Sequence, residues 1–174
     1  GAHYAKCFCI MHEVAHCIHA NMVNFNLNDN KWLYDYMGCD LVDDLGFNLI
    51  NRLINLKGTN VLSEDARMAF YNFFGQIQEG FADCYATVAL TNETPSESAQ
   101  IISLIRSGSF LSETHQTHHA LNRLYVKTQG EQIKNLTPEE IYELSLSCAA
   151  EGALEWLYEK AFLKDKEIIS LLIE

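Results

Sequence analysis

Two histidines, His12 and His16, stand four positions apart in the sequence. On an α-helix, residues at this spacing project from the same face. Their imidazoles can therefore bind a single Zn²⁺ ion, at about 2.0–2.1 Å. Glu13 lies beside them, and in the H-E-x-x-H arrangement a glutamate at this position is the general base for a zinc-activated water. The pentad predicts a zinc site, with chance occurrence of the pattern as the alternative.

A catalytic zinc of this kind needs a third protein ligand and one open coordination position. In metzincins the third ligand is a histidine six residues after the second, but Met22 occupies that position here. The other common solution is a glutamate on a second helix. Glu79 and Asp83 lie one helical turn apart, so Glu79 can bind zinc while Asp83 accepts the remaining N–H of a ligand histidine.

The neighbours of Glu79 and Asp83 weigh against the alternative that both acids lie on a solvated helix face. A carboxylate in an apolar stretch usually has a partner, because an unpaired buried charge is costly. The apolar neighbours are Phe73, Phe74, Ile77, Phe81, Ala82, Tyr85 and Ala86. Together with the pentad, this segment predicts Zn²⁺ as the cofactor.

The motifs H-E-x-x-H at 12–16 and E-x-x-A-D at 79–83 resemble those of the gluzincin metallopeptidases. They are most similar to the branch that contains the CaaX prenyl proteases, the heat-shock membrane peptidases and their small soluble relatives. The resemblance implies a zinc-dependent endopeptidase. It also implies zinc ligands at His12, His16 and Glu79, a general base at Glu13, and an Asp83 that orients a ligand histidine.

The same branch often carries a later His-Pro followed by an Arg, and His118 and Arg123 are a loose counterpart. This similarity makes His118 and Arg123 the leading candidates for stabilising the oxyanion, a role that peptide hydrolysis requires, and His118 is the predicted catalytic residue. His115, His119 and Tyr85 are the other candidates. The alternative is that these histidines cap a surface helix or lie exposed on it, without a catalytic role.

Two features depart from the family. Its members usually place β-strands before the active-site helix, whereas eleven residues precede His12 here, and the membrane helices of its best-known members are absent. We expect residues 1–174 to form a single zincin-like domain. Either an N-terminal β part is missing from it or its substrate binding is organised differently.

Composition narrows the classes of function. The chain has 174 residues, with 12 Lys and Arg against 23 Asp and Glu, for a formal net charge of −11. That charge argues against nucleic-acid binding and against adsorption to anionic membranes. No apolar run reaches the roughly 18 residues of a membrane span. The expected partner is a protein or peptide substrate, and the oligomeric state is left open.

The sequence leaves two possible cellular locations. The six cysteines do not follow a small-domain disulfide pattern, which favours a reduced compartment. No signal-peptide pattern opens the chain. We expect either the cytoplasm or export without a cleaved signal peptide, as in an effector protein.

Hydrophobic periodicity is helical nearly throughout, and no segment alternates convincingly as a strand would. The fold class is therefore expected to be mainly α, with the H-E-x-x-H helix packed against the E-x-x-A-D helix. Capping boxes predict helix starts at Pro95 and Pro138. The predicted helices span 4–23, 40–57, 64–90, 95–106, 112–127 and 138–163, with a short one from 165.

Two other functions are alternatives to a peptidase. A di-iron bundle needs two E-x-x-H elements, but Glu13-x-x-His16 is the only one in the chain. A non-catalytic helical protein-binding domain that retains the zinc site remains the alternative function. Should Glu79 not bind the metal, Glu151 is the substitute ligand. His19 is expected to be a polar surface residue or a satisfied buried histidine, rather than part of the metal pocket.

Overall fold

A computed structural model describes residues 2–23, 64–90, 95–108, 111–129 and 136–164. The described helices are α1 (Ala2–Val23), α2 (Glu64–Leu90), α3 (Pro95–Arg106), α4 (His118–Thr128) and α5 (Pro138–Lys164), with a 3₁₀ turn η1 (Glu113–His115) before α4. No strand occurs in these ranges, which confirms the mainly α fold class. The predicted helices over 40–57 and from 165 lie outside the described residues.

Helix α2 is the central element of the described fold. It packs against α1 and against α5, while α3 and α4 pack on each other and α4 also packs on α5. Phe73, Ile77 and Phe81 line one face of α2 at i, i+4 and i+8 and are fully buried. This stripe explains why α2 forms a long helix, since its apolar side chains are removed from water on burial. The predicted packing of the H-E-x-x-H helix on the E-x-x-A-D helix is confirmed.

The start of α5 shows how local sequence fixes a helix boundary. The backbone N–H of Glu140 donates to the Thr137 hydroxyl, and the backbone N–H of Thr137 donates to the Glu140 carboxylate. This reciprocal pair is the predicted capping box, with Pro138 at the first helical position. The prediction of this boundary from sequence is therefore confirmed.

Two glycines allow close approaches between elements. A Cβ on Gly75 would lie 2.5 Å from the Thr114 side chain, so this glycine lets η1 rest directly on α2. A Cβ on Gly152 would lie 2.3 Å from the backbone nitrogen of Ala120, so the backbones of α4 and α5 nearly touch. Helix α2 continues without interruption through Gly75 and Gly80.

The prediction of one helix over 112–127 is wrong, because the segment divides into η1 and α4. Polar side chains at the break compete with the helical hydrogen bonds. The Gln76 side chain of α2 donates to the Glu113 carbonyl, and the Gln116 side chain donates to the Leu111 carbonyl. These contacts hold η1 against α2 and start α4 afresh at His118. None of the described helices is long and apolar enough to cross a membrane.

Candidate metal centre

The candidate ligands meet where α1 packs on α2. The Nε2 atoms of His12 and His16 are 3.1 Å apart. Glu79 Oε2 lies 3.0 Å from His12 Nε2, and Glu79 Oε1 lies 3.4 Å from His16 Nε2. The structure therefore brings together the three residues that the sequence predicted as zinc ligands, although Glu79 is 63 positions or more from the histidines in sequence.

This spacing fits a tetrahedral zinc ion. Ligand atoms placed about 2.0–2.1 Å from a central ion, at tetrahedral corners, lie about 3.3–3.4 Å from one another. The two imidazole nitrogens are 3.1 Å apart, and each lies 3.0 or 3.4 Å from a different oxygen of the Glu79 carboxylate, so these separations are close to that value. The donor set of two imidazoles and one carboxylate is also one that catalytic zinc sites use.

The hydrogen bonding of Glu79 supports the same fit. Glu79 Oε2 is buried and lies 3.0 Å from His12 Nε2 and 3.5 Å from His115 Nε2. A buried carboxylate oxygen is costly without a partner, and a proton on His12 Nε2 supplies one when no metal is bound. A cation held between the imidazoles and the carboxylate would replace that proton.

The pKa values of His12 and Glu79 each depend on the charge of the neighbouring groups. Burial alone would lower the pKa of His12, but the Asp83 and Glu79 carboxylates outweigh it and raise that pKa to about 9. Burial alone would raise the pKa of Glu79, but the adjacent His12 and His16 imidazoles hold it well below its ordinary range. Without a metal, the centre therefore holds a proton on His12 beside a carboxylate at neutral pH.

Asp83 contacts the side of His12 that faces away from Glu79. Asp83 Oδ1 accepts a hydrogen bond from His12 Nδ1 at 2.8 Å. A carboxylate can only accept, so Nδ1 must carry the proton and Nε2 of the neutral ring presents its lone pair to the centre. This is the arrangement predicted for Asp83, in which an outer carboxylate fixes the tautomer of a ligand histidine.

Two residues that bind Asp83 were missed by the sequence reasoning. Asp83 is 1% exposed, and Arg106 reaches it through Nε and Nη2, at 3.0 Å from Oδ2 and 3.2 Å from Oδ1. The Thr117 hydroxyl donates to Oδ2 at 2.6 Å. Burial of Asp83 in an apolar stretch signals that a cation must accompany it. Nothing in the pattern indicates which cation, since Arg106 lies 23 positions away on α3.

The segment that follows α3 brings His115, rather than His118, to the metal centre. His115 Nε2 lies 3.5 Å from Glu79 Oε2, and its Nδ1 is hydrogen-bonded to the Ser112 hydroxyl at 2.7 Å. The His118 ring lies against that of His119 in a tilted arrangement, with centroids 4.1 Å apart, and makes no ion pair with Glu79 within the described residues. Burial, followed by the neighbouring His119, lowers the pKa of His118.

Exposure increases across the centre. The side chains of His12, Glu79, His16 and His115 are 9%, 19%, 26% and 44% exposed. The ligand set is therefore anchored on the His12 side and accessible from solvent on the side of His16 and His115. Glu13, the predicted general base, is exposed immediately after His12 on α1. An open side is what a catalytic metal centre requires, because substrate and water must reach it.

His19 lies one turn beyond His16 and is buried, as one of its two predicted environments required. Its ring packs 4.6 Å from that of Phe81 and 6.5 Å from that of Tyr142, measured between centroids. Burial, with His16 as the second cause, lowers the pKa of His19 to about 4. It is a neutral core residue at physiological pH.

The remaining candidates bind elsewhere. Glu151, the substitute ligand, accepts from Lys127 Nζ at 3.0 Å. Arg123 pairs with Glu155 at 3.3 Å. His119 forms a second group with Glu155 and Glu159, at 3.6 Å from Nδ1 and 2.9 Å from Nε2 respectively. None of these residues belongs to the ligand set of His12, His16 and Glu79.

Comparison with protein-family models, curated proteins and solved structures finds no match to this chain. The resemblance to gluzincins therefore remains a prediction from the two sequence motifs.

Proposed function

We propose that this protein is a zinc-dependent endopeptidase that hydrolyses peptide bonds in a protein or peptide substrate. The observation that carries the proposal is the convergence of His12 Nε2, His16 Nε2 and the Glu79 carboxylate, whose ligand atoms all lie within 4.8 Å of one another. These residues would hold the metal. Asp83 would keep the His12 lone pair directed at it.

The protein side chains have separate tasks in this reaction. When bound, zinc would polarise the scissile carbonyl and lower the pKa of a water molecule towards about 7. Glu13 would accept the proton that the attacking water loses and transfer it to the leaving amine. One water is consumed, the C–N bond breaks, and the products are a carboxylate and an amine.

His115 is the residue best placed to bind the substrate carbonyl oxygen as negative charge develops on it. Its Nε2 lies beside Glu79, and its Nδ1 contacts Ser112, which limits rotation of the ring. A donor held in advance at this position would stabilise the transition state without reorganisation. His115 does not belong to the group of ligand atoms within 4.8 Å of one another, which favours a substrate-facing role over metal binding.

The experiment that tests the proposal compares wild type with Glu13→Gln. Both proteins are assayed for zinc content and for cleavage of a peptide library, read by mass spectrometry of the products. We expect equal zinc, with cleavage by wild type alone, since Glu13 is a base and not a ligand. Zinc in both proteins with cleavage in neither would favour the non-catalytic protein-binding alternative. Glu97→Gln, an exposed acid on α3, is the matched control.

A further inference from the structure

Asp83 is the point at which four elements of the fold meet. His12 of α1, Arg106 of α3 and Thr117, just before α4, all donate to this one carboxylate of α2. Oδ1 accepts from His12 Nδ1 and Arg106 Nη2, and Oδ2 accepts from the Thr117 hydroxyl and Arg106 Nε. Two carboxylate oxygens offer about four lone-pair sites, so these donors saturate it.

Saturation fixes the direction of the carboxylate. An aspartate that accepted only from His12 could rotate about its side-chain bonds, and the imidazole would rotate with it. The two-pronged Arg106 contact fixes the carboxylate plane, because the guanidinium and carboxylate are matched planar groups. The Thr117 hydroxyl at 2.6 Å holds the oxygen that does not contact His12. The Asp83 side chain then has a single orientation in which Oδ1 faces His12.

We propose that Arg106 and Thr117 are positioning residues of the metal centre, which act through Asp83 to hold His12 Nε2 in its ligating direction. This inference rests on the proposed zinc-binding function. Arg106 and Thr117 touch neither a ligand atom nor substrate. Their effect on the centre is carried by the hydrogen bond between Asp83 and His12.

The two residues can be altered with little change of shape. Thr117→Val removes one hydroxyl and keeps the branched side chain, whereas Thr117→Ser keeps the hydroxyl. Arg106→Gln removes both the charge and the paired N–H donors of the guanidinium. Arg106→Lys keeps the charge but loses the paired donors. Thr128→Val is the control, because Thr128 is also buried, at the opposite end of α4, but its hydroxyl donates to the Leu124 carbonyl at 2.6 Å.

The experiment measures the zinc dissociation constant of the full chain by competition with a chelator, and the absorption spectrum of the Co²⁺-substituted protein. Loss of a partner in the outer shell of a metal site typically weakens binding about 10–100-fold. We expect about 10-fold for Thr117→Val and up to about 100-fold for Arg106→Gln, with an altered Co²⁺ spectrum in both. Thr117→Ser and Thr128→Val should bind as wild type does, and Arg106→Lys should be intermediate.

Coupling to Asp83 separates positioning from a general loss of structure. In an Asp83→Asn background, Thr117→Val should weaken zinc binding little further, because both changes disrupt the same hydrogen-bonded connection to His12. The proposal is overturned if Thr117→Val and Arg106→Gln bind zinc as wild type does while Asp83→Asn binds weakly. It is also overturned if Thr128→Val weakens binding as much as Thr117→Val. Failure of wild type itself to bind zinc would instead refute the proposed function, and this inference with it.

Discussion

Two groups of His and Glu side chains have opposite compositions: one has two histidines and one glutamate, and the other has one histidine and two glutamates. At one, two histidines one turn apart on α1 face a single glutamate on α2; at the other, two glutamates one turn apart on α5 face His119 of α4. In the first, both imidazoles direct Nε2 at the same carboxylate. In the second, each nitrogen of one imidazole is near a different carboxylate, at 3.6 Å for Glu155 and 2.9 Å for Glu159.

The two groups are alike in residue type and proximity, and they differ in whether the ligand atoms converge on one carboxylate. His119 is itself buried and approaches both carboxylates at once, one with each ring nitrogen, while Glu155 and Glu159 are 41% and 53% exposed. At the α1–α2 centre, Nδ1 of His12 is occupied by Asp83, so the ring directs Nε2 towards His16 Nε2 and Glu79 Oε2. We therefore expect zinc at the first group and a salt bridge at the second.

The largest expected effect comes from removing one carboxylate at each group. Glu79→Ala should weaken zinc binding by more than about 1,000-fold, beyond the roughly 10–100-fold cost of losing an outer-shell partner. Glu159→Ala should leave the dissociation constant unchanged. Chelator competition on the two variants measures both. Equal affinities, or a loss confined to Glu159→Ala, would reverse the assignment of the two groups.

The histidines of the 113–119 segment give a second comparison. His115→Phe should lower kcat for peptide cleavage by about 100–1,000-fold, the cost typical of losing a preorganised oxyanion donor, with zinc content unchanged. His118→Phe and His119→Phe should retain activity. Steady-state kinetics with metal analysis checks this. Inactivity of His118→Phe with full activity of His115→Phe would restore the residue that the sequence motif suggested.

The pKa of His12 predicts an unusual pH dependence of zinc affinity. Burial alone would lower this pKa, but Asp83 and Glu79 raise it to about 9, so zinc must displace a proton from His12 at neutral pH. Apparent affinity should therefore rise about tenfold per pH unit up to about pH 9, whereas an ordinary histidine would reach its plateau near pH 6.5. Chelator-buffered titrations between pH 6.5 and 9.5 measure the slope.

The raised pKa of His12 has the opposite effect on the stability of the metal-free protein, which should fall as pH rises. A raised histidine pKa contributes stability that is complete below the unfolded value of 6.5 and is lost as pH rises through about 9. Urea unfolding of the metal-free chain should therefore show the free energy of unfolding falling over this window. A plateau in zinc affinity above pH 7, together with flat stability, would contradict the coupling of His12 to the two carboxylates.

The smallest expected effect is on the stability contributed by the second group. Glu159→Gln should lower the free energy of unfolding by less than about 1 kcal/mol, because the Glu159 side chain is 53% exposed and water and salt screen its pairing with His119. Urea unfolding at low and high salt checks this. A loss of several kcal/mol would mean that this ion pair is a buried structural element rather than a surface contact.

How much of the molecule could be predicted depends on how local each feature is. The starts of α3 and α5 follow from capping patterns within a few residues, and the observed start of α5 has the reciprocal bonds of Thr137 and Glu140. The facing of His12 and His16 follows from helical periodicity alone. These features need no knowledge of the tertiary fold.

The features that could not be predicted are made by contacts between elements. The break after η1 depends on Gln76 of α2 bonding to Glu113, and that break is what places His115, not His118, beside Glu79. Arg106 and Thr117 reach Asp83 only because α3 and the start of α4 pack over α2. The pairing of Glu79 with the histidines was also non-local, and it could be anticipated only from motif similarity and apolar surroundings.

The most direct test of the central claim is zinc K-edge X-ray absorption on the zinc-loaded wild-type protein. The His12, His16 and Glu79 assignment predicts one zinc per chain with nitrogen and oxygen ligands at about 2.0–2.2 Å, and imidazole scattering from two rings. Glu79→Ala should lose this signal. Sulfur ligands at about 2.3 Å would place the metal on cysteines instead, and would contradict the account.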